Sequence, residues 1–308
     1  MPALADLWPA IVTGLAFGAM YAVTGTGLVV LYRTTGVVNL AFGAVGCMGA
    51  HLAWSWLGGS ISNPNPVGHG WKILAYPGLV AICALIMWLY GVIVAPRLAR
   101  RDPLVKALGM LGLALILLGI MKQKWDTSKP RQLLFPRKVF KLWGATITTT
   151  QILALVLAVV VVALVTLYLQ KSSTGTAMRA ISDNRDSSAL LGVPVRRVES
   201  LAWAGSGVIT GLVFMILPAL SDSLDQTTLT WFVVGALAGA IVGQFKSLWV
   251  TLIASLLIGV GRSVLFKFNG SLGFIHDFYE TTPYVVSVLA ILWISRKRTV
   301  VLAGREMR

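Results

Sequence analysis

Runs of about 20 apolar residues recur along the whole chain, the length an α-helix needs to cross a hydrocarbon core of roughly 30 Å. Lipid offers no water to a backbone amide. Each run must therefore be a helix bonded to itself or a strand in a closed barrel. A barrel strand alternates apolar and polar residues, and these runs do not. The expected fold is an all-α, polytopic membrane bundle of about eight to ten transmembrane helices. Composition agrees, because 12% of the 308 residues are charged, against about 25% in a soluble domain. The mean hydropathy is +0.80.

The expected spans are Leu7–Leu31, Val37–Leu57, Ile73–Ala95, Leu104–Met121, Ile152–Leu169, Ser200–Leu220, Leu229–Val242, Leu248–Phe266 and Pro283–Ile294, the seventh and ninth being short for a full crossing. No basic region precedes the first run, which predicts that the first span is retained rather than cleaved. Cys47 and Cys83 both lie inside apolar runs and read as small buried hydrophobes.

The formal net charge of +15 is large. In a membrane protein it bears on orientation and anionic lipid rather than on nucleic acid. Placing residues 171–198 in the cytoplasm puts 96–106 and the tail inside by alternation, and inside segments then hold 16 of the 26 basic residues. The loop Lys122–Thr150 is the misfit, since it carries Lys122, Lys124, Lys129, Arg131, Arg137, Lys138 and Lys141 yet falls outside. A solvated loop, a docking surface for an acidic partner and a miscounted span are all compatible with it. Its prolines and the Thr146–Thr150 run predict turns and short extended pieces.

One polar stretch also looks folded. From Ser173 to Glu199, apolar residues recur at helical spacing at Ala177, Ile181, Ala189, Leu190 and Val193. Asp183 or Asn184 can cap a second helix, and Gly192 followed by Pro194 is a stop signal. Two short amphipathic helices between apolar runs lie at the membrane surface and can present a face to a soluble partner.

Small residues stand four apart at Gly14 and Gly18, at Gly207 and Gly211, and at Gly235, Gly239 and Gly243. This spacing lets helix backbones approach closely, within one bundle or between subunits. Asn39, an amide at the start of an apolar run, either bridges helices or lines a polar path, and Tyr21 is similarly ambiguous.

Catalytic chemistry is not evident. None of the 11 acidic residues lies in the middle of a span, which argues against proton coupling. His51, His69 and His276 lack metal-ligand spacing, and no phosphate-loop motif occurs. Arg262 inside the eighth span snorkels, bonds to backbone, or meets a substrate carboxylate.

These residues resemble a known family. Gly14-Leu15-Ala16-Phe17-Gly18-Ala19-Met20-Tyr21-Ala22 followed by Val38-Asn39-Leu40-Ala41-Phe42-Gly43 is similar to the "G-x-x-x-G-x-x-Y-A … I-N-F-A-H-G" pattern of branched-chain amino acid ABC importer permeases. Gly175-Thr176-Ala177-Met178-Arg179-Ala180 with Ala189-Leu190-Leu191-Gly192-Val193 resembles that family's cytoplasmic "G-R-A-x-R-A … A-x-L-L-G-I" loop. Gly243-Gln244-Phe245-Lys246-Ser247 stands where the family has "G-G-x-G-S". Phe42 replaces the family histidine, and Gln244 and Lys246 replace two glycines.

The resemblance implies a single permease domain over 1–308 in a bacterial inner membrane, with 171–198 as its coupling-helix loop. It implies a second related permease chain, two ATPase subunits that carry ATP and Mg, an external substrate-binding protein, and no cofactor on this chain. Gly175, Met178, Arg179, Asp183, Arg185, Ala189, Leu190, Leu191 and Gly192 would then couple to the ATPase. Arg179 and Arg185 would make charged contacts, and Ala189, Leu190 and Leu191 an apolar knob. Tyr21, Asn39, Phe42 and Gly43 would line the path, and Gly14, Gly18, Gly235, Gly239 and Gly243 would pack helices. Urea, short amides and other small solutes remain open as substrates, as do a self-contained carrier or channel as alternatives.

Overall fold

A computed structural model describes residues 4–59, 73–125, 139–142, 145–221 and 225–268, with isolated helical positions between 281 and 292. Most of the ninth expected span and the basic tail lie outside the described residues. The elements in order are α1 (Leu4–Thr35), α2 (Phe42–Trp56), α3 (Ala75–Leu89), a π-turn (Tyr90–Val94), α4 (Ala95–Leu98) and α5 (Pro103–Lys124). There follow β1 (Val139–Leu142), β2 (Ala145–Thr148), α6 (Thr149–Lys171), α7 (Ser173–Asp183), α8 (Arg185–Leu190), α9 (Val195–Ser221), α10 (Gln226–Val242) and α11 (Leu248–Phe268). Among the described residues six helical segments are long and apolar enough to cross a membrane, and α2 and α10 are shorter.

The second expected span needs correction. Its helix begins at Phe42 rather than Val37. Gly36 turns the chain with φ +69°, and Val37–Asn39 run without helix into the interior. Non-helical backbone at this depth is tolerated because protein, not lipid, surrounds it. The π-turn has a local cause as well. Pro96 has no N–H and its ring crowds the carbonyl of Val92, so the α3 ladder widens one turn earlier.

The bundle has a protein-facing centre and a lipid-facing periphery. In α1, 83% of the most apolar window is buried, against 22% in α5. The shorter α2 buries Phe42 through Ala50 without a break, so it is apolar on all sides and central. Helices α3, α5, α6 and α11 expose leucine, isoleucine and valine outward.

Close approach at glycine sets the core. A Cβ on Gly14 would lie 2.6 Å from the Val260 Cα, and one on Gly18 would lie 2.7 Å from the Leu256 Cα. Gly259 answers from α11 against Gly14 and Gly18. On α9, Gly207 and Gly211 meet the α3 backbone at Ala84 and Val80. Gly235 is filled by the Tyr21 ring, while Gly239 and Gly243 receive Ser255 and Thr251. All these contacts lie within one chain.

The two ends of the bundle differ. At one end lie the α1 terminus, α7, α8, the α4–α5 connection and the α10–α11 turn. Arg33, Arg97, Arg100, Arg101, Lys106, Arg179, Arg196, Arg197 and Lys246 gather there. At the other end, Trp125 donates its indole N–H to Ser55 at 2.9 Å, rests 5.3 Å from the His51 ring, and accepts from Gln226 at 3.3 Å. His51 Nδ1 lies 2.9 Å from the Cys47 carbonyl, a satisfied buried histidine. The antiparallel hairpin β1–β2 pairs Val139 with Thr148 at this same end. The described parts of the 122–150 loop thus lie opposite α7 and α8, where alternation places them.

Gly18→Leu should lower the thermal midpoint in detergent by the equivalent of about 2 kcal/mol or more, because overpacking here pushes on backbone. Gly112→Ala, in mid-helix with open space around it, should hold the midpoint or raise it slightly. Differential scanning fluorimetry on the two purified variants checks both.

Candidate functional site

The stretch after α6 folds as two capped helices. Ser172 Oγ accepts from the Gly175 amide at 2.8 Å and starts α7. Asn184 Oδ1, rather than Asp183, accepts from the Ser187 amide at 2.9 Å and starts α8. The end of α8 is a Schellman closure, in which Val193 N–H bonds to Ser188 O at 3.0 Å and Gly192 N–H to Ala189 O at 3.1 Å. Gly192 sits at φ +85°, which explains why glycine stands there.

The two helices have distinct faces. Gly175, Met178 and Ile181 are buried one turn apart and seat α7 on the bundle. A Cβ on Gly175 would meet the α6 backbone, 2.6 Å from the Leu169 Cα. Gly175 and Met178 were expected among the partner-contacting residues, and here they support the helix from beneath. Arg179, Asp183, Ala189 and Gly192 are exposed. Leu190 and Leu191 stand out, at 89% and 85% exposed. Two leucines so exposed on a rigid, capped turn lie apart from the lipid-facing helices.

Arg185 departs from expectation. Its Nε and Nη2 donate to Glu199 Oε1 and Oε2 at 2.7 and 3.3 Å, a two-point ion pair across the Pro194 turn. These bonds raise the guanidinium above its ordinary pKa. Arg185 is therefore engaged within the chain, and Arg179 is the more exposed cation of the two. Glu199 had no assigned role in the sequence. Its signal was an acidic residue at the entrance of an apolar run, which finds a partner only when α8 folds back.

The α10–α11 turn lies beside these helices. Lys246 N–H bonds to Gly243 O at 2.9 Å, and both central residues are left-handed, Gln244 at φ +52° and Phe245 at φ +51°. This is the pattern of a type I′ turn. The family glycine at position 244 has the backbone freedom that this conformation requires. Phe245 packs on Tyr32, and the Arg33 guanidinium donates to the Lys246 carbonyl at 3.3 Å. An open groove of roughly 670 Å³ runs between this turn, Thr35 and Asp183.

The residues expected to line a path are packed in the interior. Asn39 is fully buried and its Nδ2 donates to Ser206 Oγ at 3.1 Å, bridging the α1–α2 connection to α9. Its Oδ1 has no partner among the described residues. Tyr21 stacks on Phe232 at 4.5 Å, Phe42 is fully buried beside Phe214, and Gly43 meets the Thr230 backbone. Trp203, also buried with an unpartnered Nε1, packs on Gly91 of the π-turn. Ser206 and Trp203 escaped the sequence reading because a serine and a tryptophan in an apolar run carry no local signal. Among the described residues no cluster of metal-binding side chains occurs. Arg262 lies over the Phe17 ring at 5.4 Å, between α1 and α11.

Gln244→Gly should stabilise the protein by about 1 kcal/mol by relieving a left-handed non-glycine residue. Gln244→Val should destabilise it by a similar amount or more, since a β-branched side chain resists positive φ. Thermal midpoints of the purified variants, moving in opposite directions, check the turn.

Comparison with known proteins gives a consistent result. The family model described as the permease component of a branched-chain amino acid transport system matches residues 10–295. The probable branched-chain amino acid transport permease LivH of Methanocaldococcus jannaschii is 24% identical over 260 residues, covering 82% of this chain and 78% of that protein. The high-affinity branched-chain amino acid permease LivH of Escherichia coli is 19% identical over 289 residues, covering 91% of each. BraD of Pseudomonas aeruginosa, also a high-affinity branched-chain amino acid permease, is 24% identical over 284 residues, covering 85% of this chain and 87% of its own length. The matched family consists of transport components, not enzymes, and its spans agree with a multi-pass cell-membrane protein. With nearly the whole chain matched, this protein belongs to the branched-chain amino acid permease family.

Proposed function

We propose that this chain is the membrane-spanning subunit of an ATP-driven importer for branched-chain or other small amino acids. Two such permease chains, this one and a related partner, would form the pathway. Two ATPase subunits would bind at the basic end, which faces the cytoplasm, and a soluble binding protein would deliver substrate to the opposite end. The observation that carries this reading is the pair α7–α8, which is capped, seated from beneath, and presents Leu190 and Leu191 outward. A folded surface helix pair of this kind serves a partner and is unnecessary for a self-contained carrier. The basic end agrees with a cytoplasmic location, because Lys and Arg collect in cytoplasmic loops.

Membership of the family supports the substrate class. The interior adds that a neutral, small solute suits an environment of Asn39, Ser206, Thr210 and Thr230 without a buried free carboxylate among the described residues. Closure of the ATPases on nucleotide would move α7–α8, and the bundle would switch access from one end to the other.

Leu190→Asp should lower the amount of ATPase subunit recovered with the tagged chain by about tenfold, as for the loss of a central interface anchor. Arg179→Asp should weaken leucine uptake by reconstituted complex while leaving membrane insertion intact. Normal recovery and uptake in both variants would sink the coupling assignment.

A further inference from the structure

On its own, α8 is weakly anchored. It has six residues and buries only Ser188. Its strongest specific tie to a membrane-embedded helix is the Arg185–Glu199 pair, with bonds of 2.7 and 3.3 Å and the Glu199 side chain 11% exposed. Two parallel bonds to a planar guanidinium fix orientation as well as distance. Movement of α8 therefore carries the first turn of α9 with it.

From there α9 leads inward. Glu199, Trp203, Ser206 and Thr210 are all buried and follow one another along a single helical stripe. Trp203 packs on the π-turn, Ser206 holds Asn39, and Gly207 and Gly211 lie against α3. A shift of α9 must break these contacts or take them along. Among the described residues Asn39 Oδ1 and Trp203 Nε1 at this level have no hydrogen-bond partner, so an alternative arrangement has hydrogen bonds to gain. A small cleft lined by Thr35, Tyr90, Lys106 and Trp203 flanks the ion pair.

With α7–α8 taken as the coupling element, we propose that the Arg185–Glu199 ion pair is the rod that transmits their movement into α9 and on to the Asn39–Ser206 contact. Both are positioning residues. Neither touches substrate.

The test uses the assembled complex in proteoliposomes, with leucine as the probe. The variants are Arg185→Gln, Glu199→Gln, the double variant, and Arg185→Lys, which keeps the charge but loses the two-point geometry. The readouts are ATPase subunit recovered, basal ATP hydrolysis, and leucine moved per ATP. ATPase recovery and basal hydrolysis should stay at parental levels. Leucine per ATP should fall about tenfold in each glutamine variant, the double should be no worse than the weaker single, and the lysine variant should fall between. A parental ratio in the single variants overturns the proposal, as does multiplication of the two losses in the double. Loss of ATPase recovery in the variants also overturns it, because the pair would then only shape the docking surface. Failure of the parental chain to recover ATPase would instead remove the coupling reading of α7–α8, and this proposal with it.

Discussion

Backbone-to-backbone contact at glycine is the constraint on which this bundle depends. In lipid, apolar side chains gain nothing by leaving their solvent, so helices associate through close packing and hydrogen bonds. Gly14, Gly18 and Gly259 bring α1 and α11 together, and Gly207 and Gly211 bring α9 onto α3. Gly43 does the same for α2 at the α10 backbone. With α1 and α2 central and α9 locked beside them, the ends of these helices have fixed places. The turn at Gly243–Lys246 and the seat of α7 against α6 inherit those places.

The basic end combines a rigid element with a sparse attachment. The seat under α7 is apolar and made by Gly175, Met178 and Ile181. The link from α8 to the bundle is polar and made chiefly by Arg185 and Glu199. The apolar seat fixes where α7 lies, whereas a two-point ion pair also resists change of angle. This division suits an element that must move as a unit and still report its movement to one chosen helix. The opposite end is held differently, by the Trp125 contacts to Ser55, His51 and Gln226, which close off the top of α2 and α5.

The span pattern was legible because length and apolarity are local properties. Caps were nearly so: Gly192 and the Asn184 position follow from the residues themselves, though the choice between Asp183 and Asn184 needed the fold. The glycine faces were visible as spacing, but whether they served one chain or two was not. The Arg185–Glu199 contact was hidden for a physical reason. Glu199 lies 14 residues on, beyond a proline turn, and spacing along a helix says nothing about a contact made by folding back. Asn39 showed as an isolated amide, yet Ser206, its partner, had no signal at all.

The amino-acid sequence by itself determined that this chain is a membrane bundle, where its longer helices run, and that one polar stretch folds at the surface. Those outcomes follow from hydrophobic length, capping chemistry and the obligatory bonding of backbone in lipid. Tertiary structure alone decided that α2 starts late, that Gly175 and Met178 face inward while Leu190 and Leu191 face out, and that α8 is tied to α9. The reason is that burial and pairing depend on which helices become neighbours, and close contact at glycine selects those neighbours.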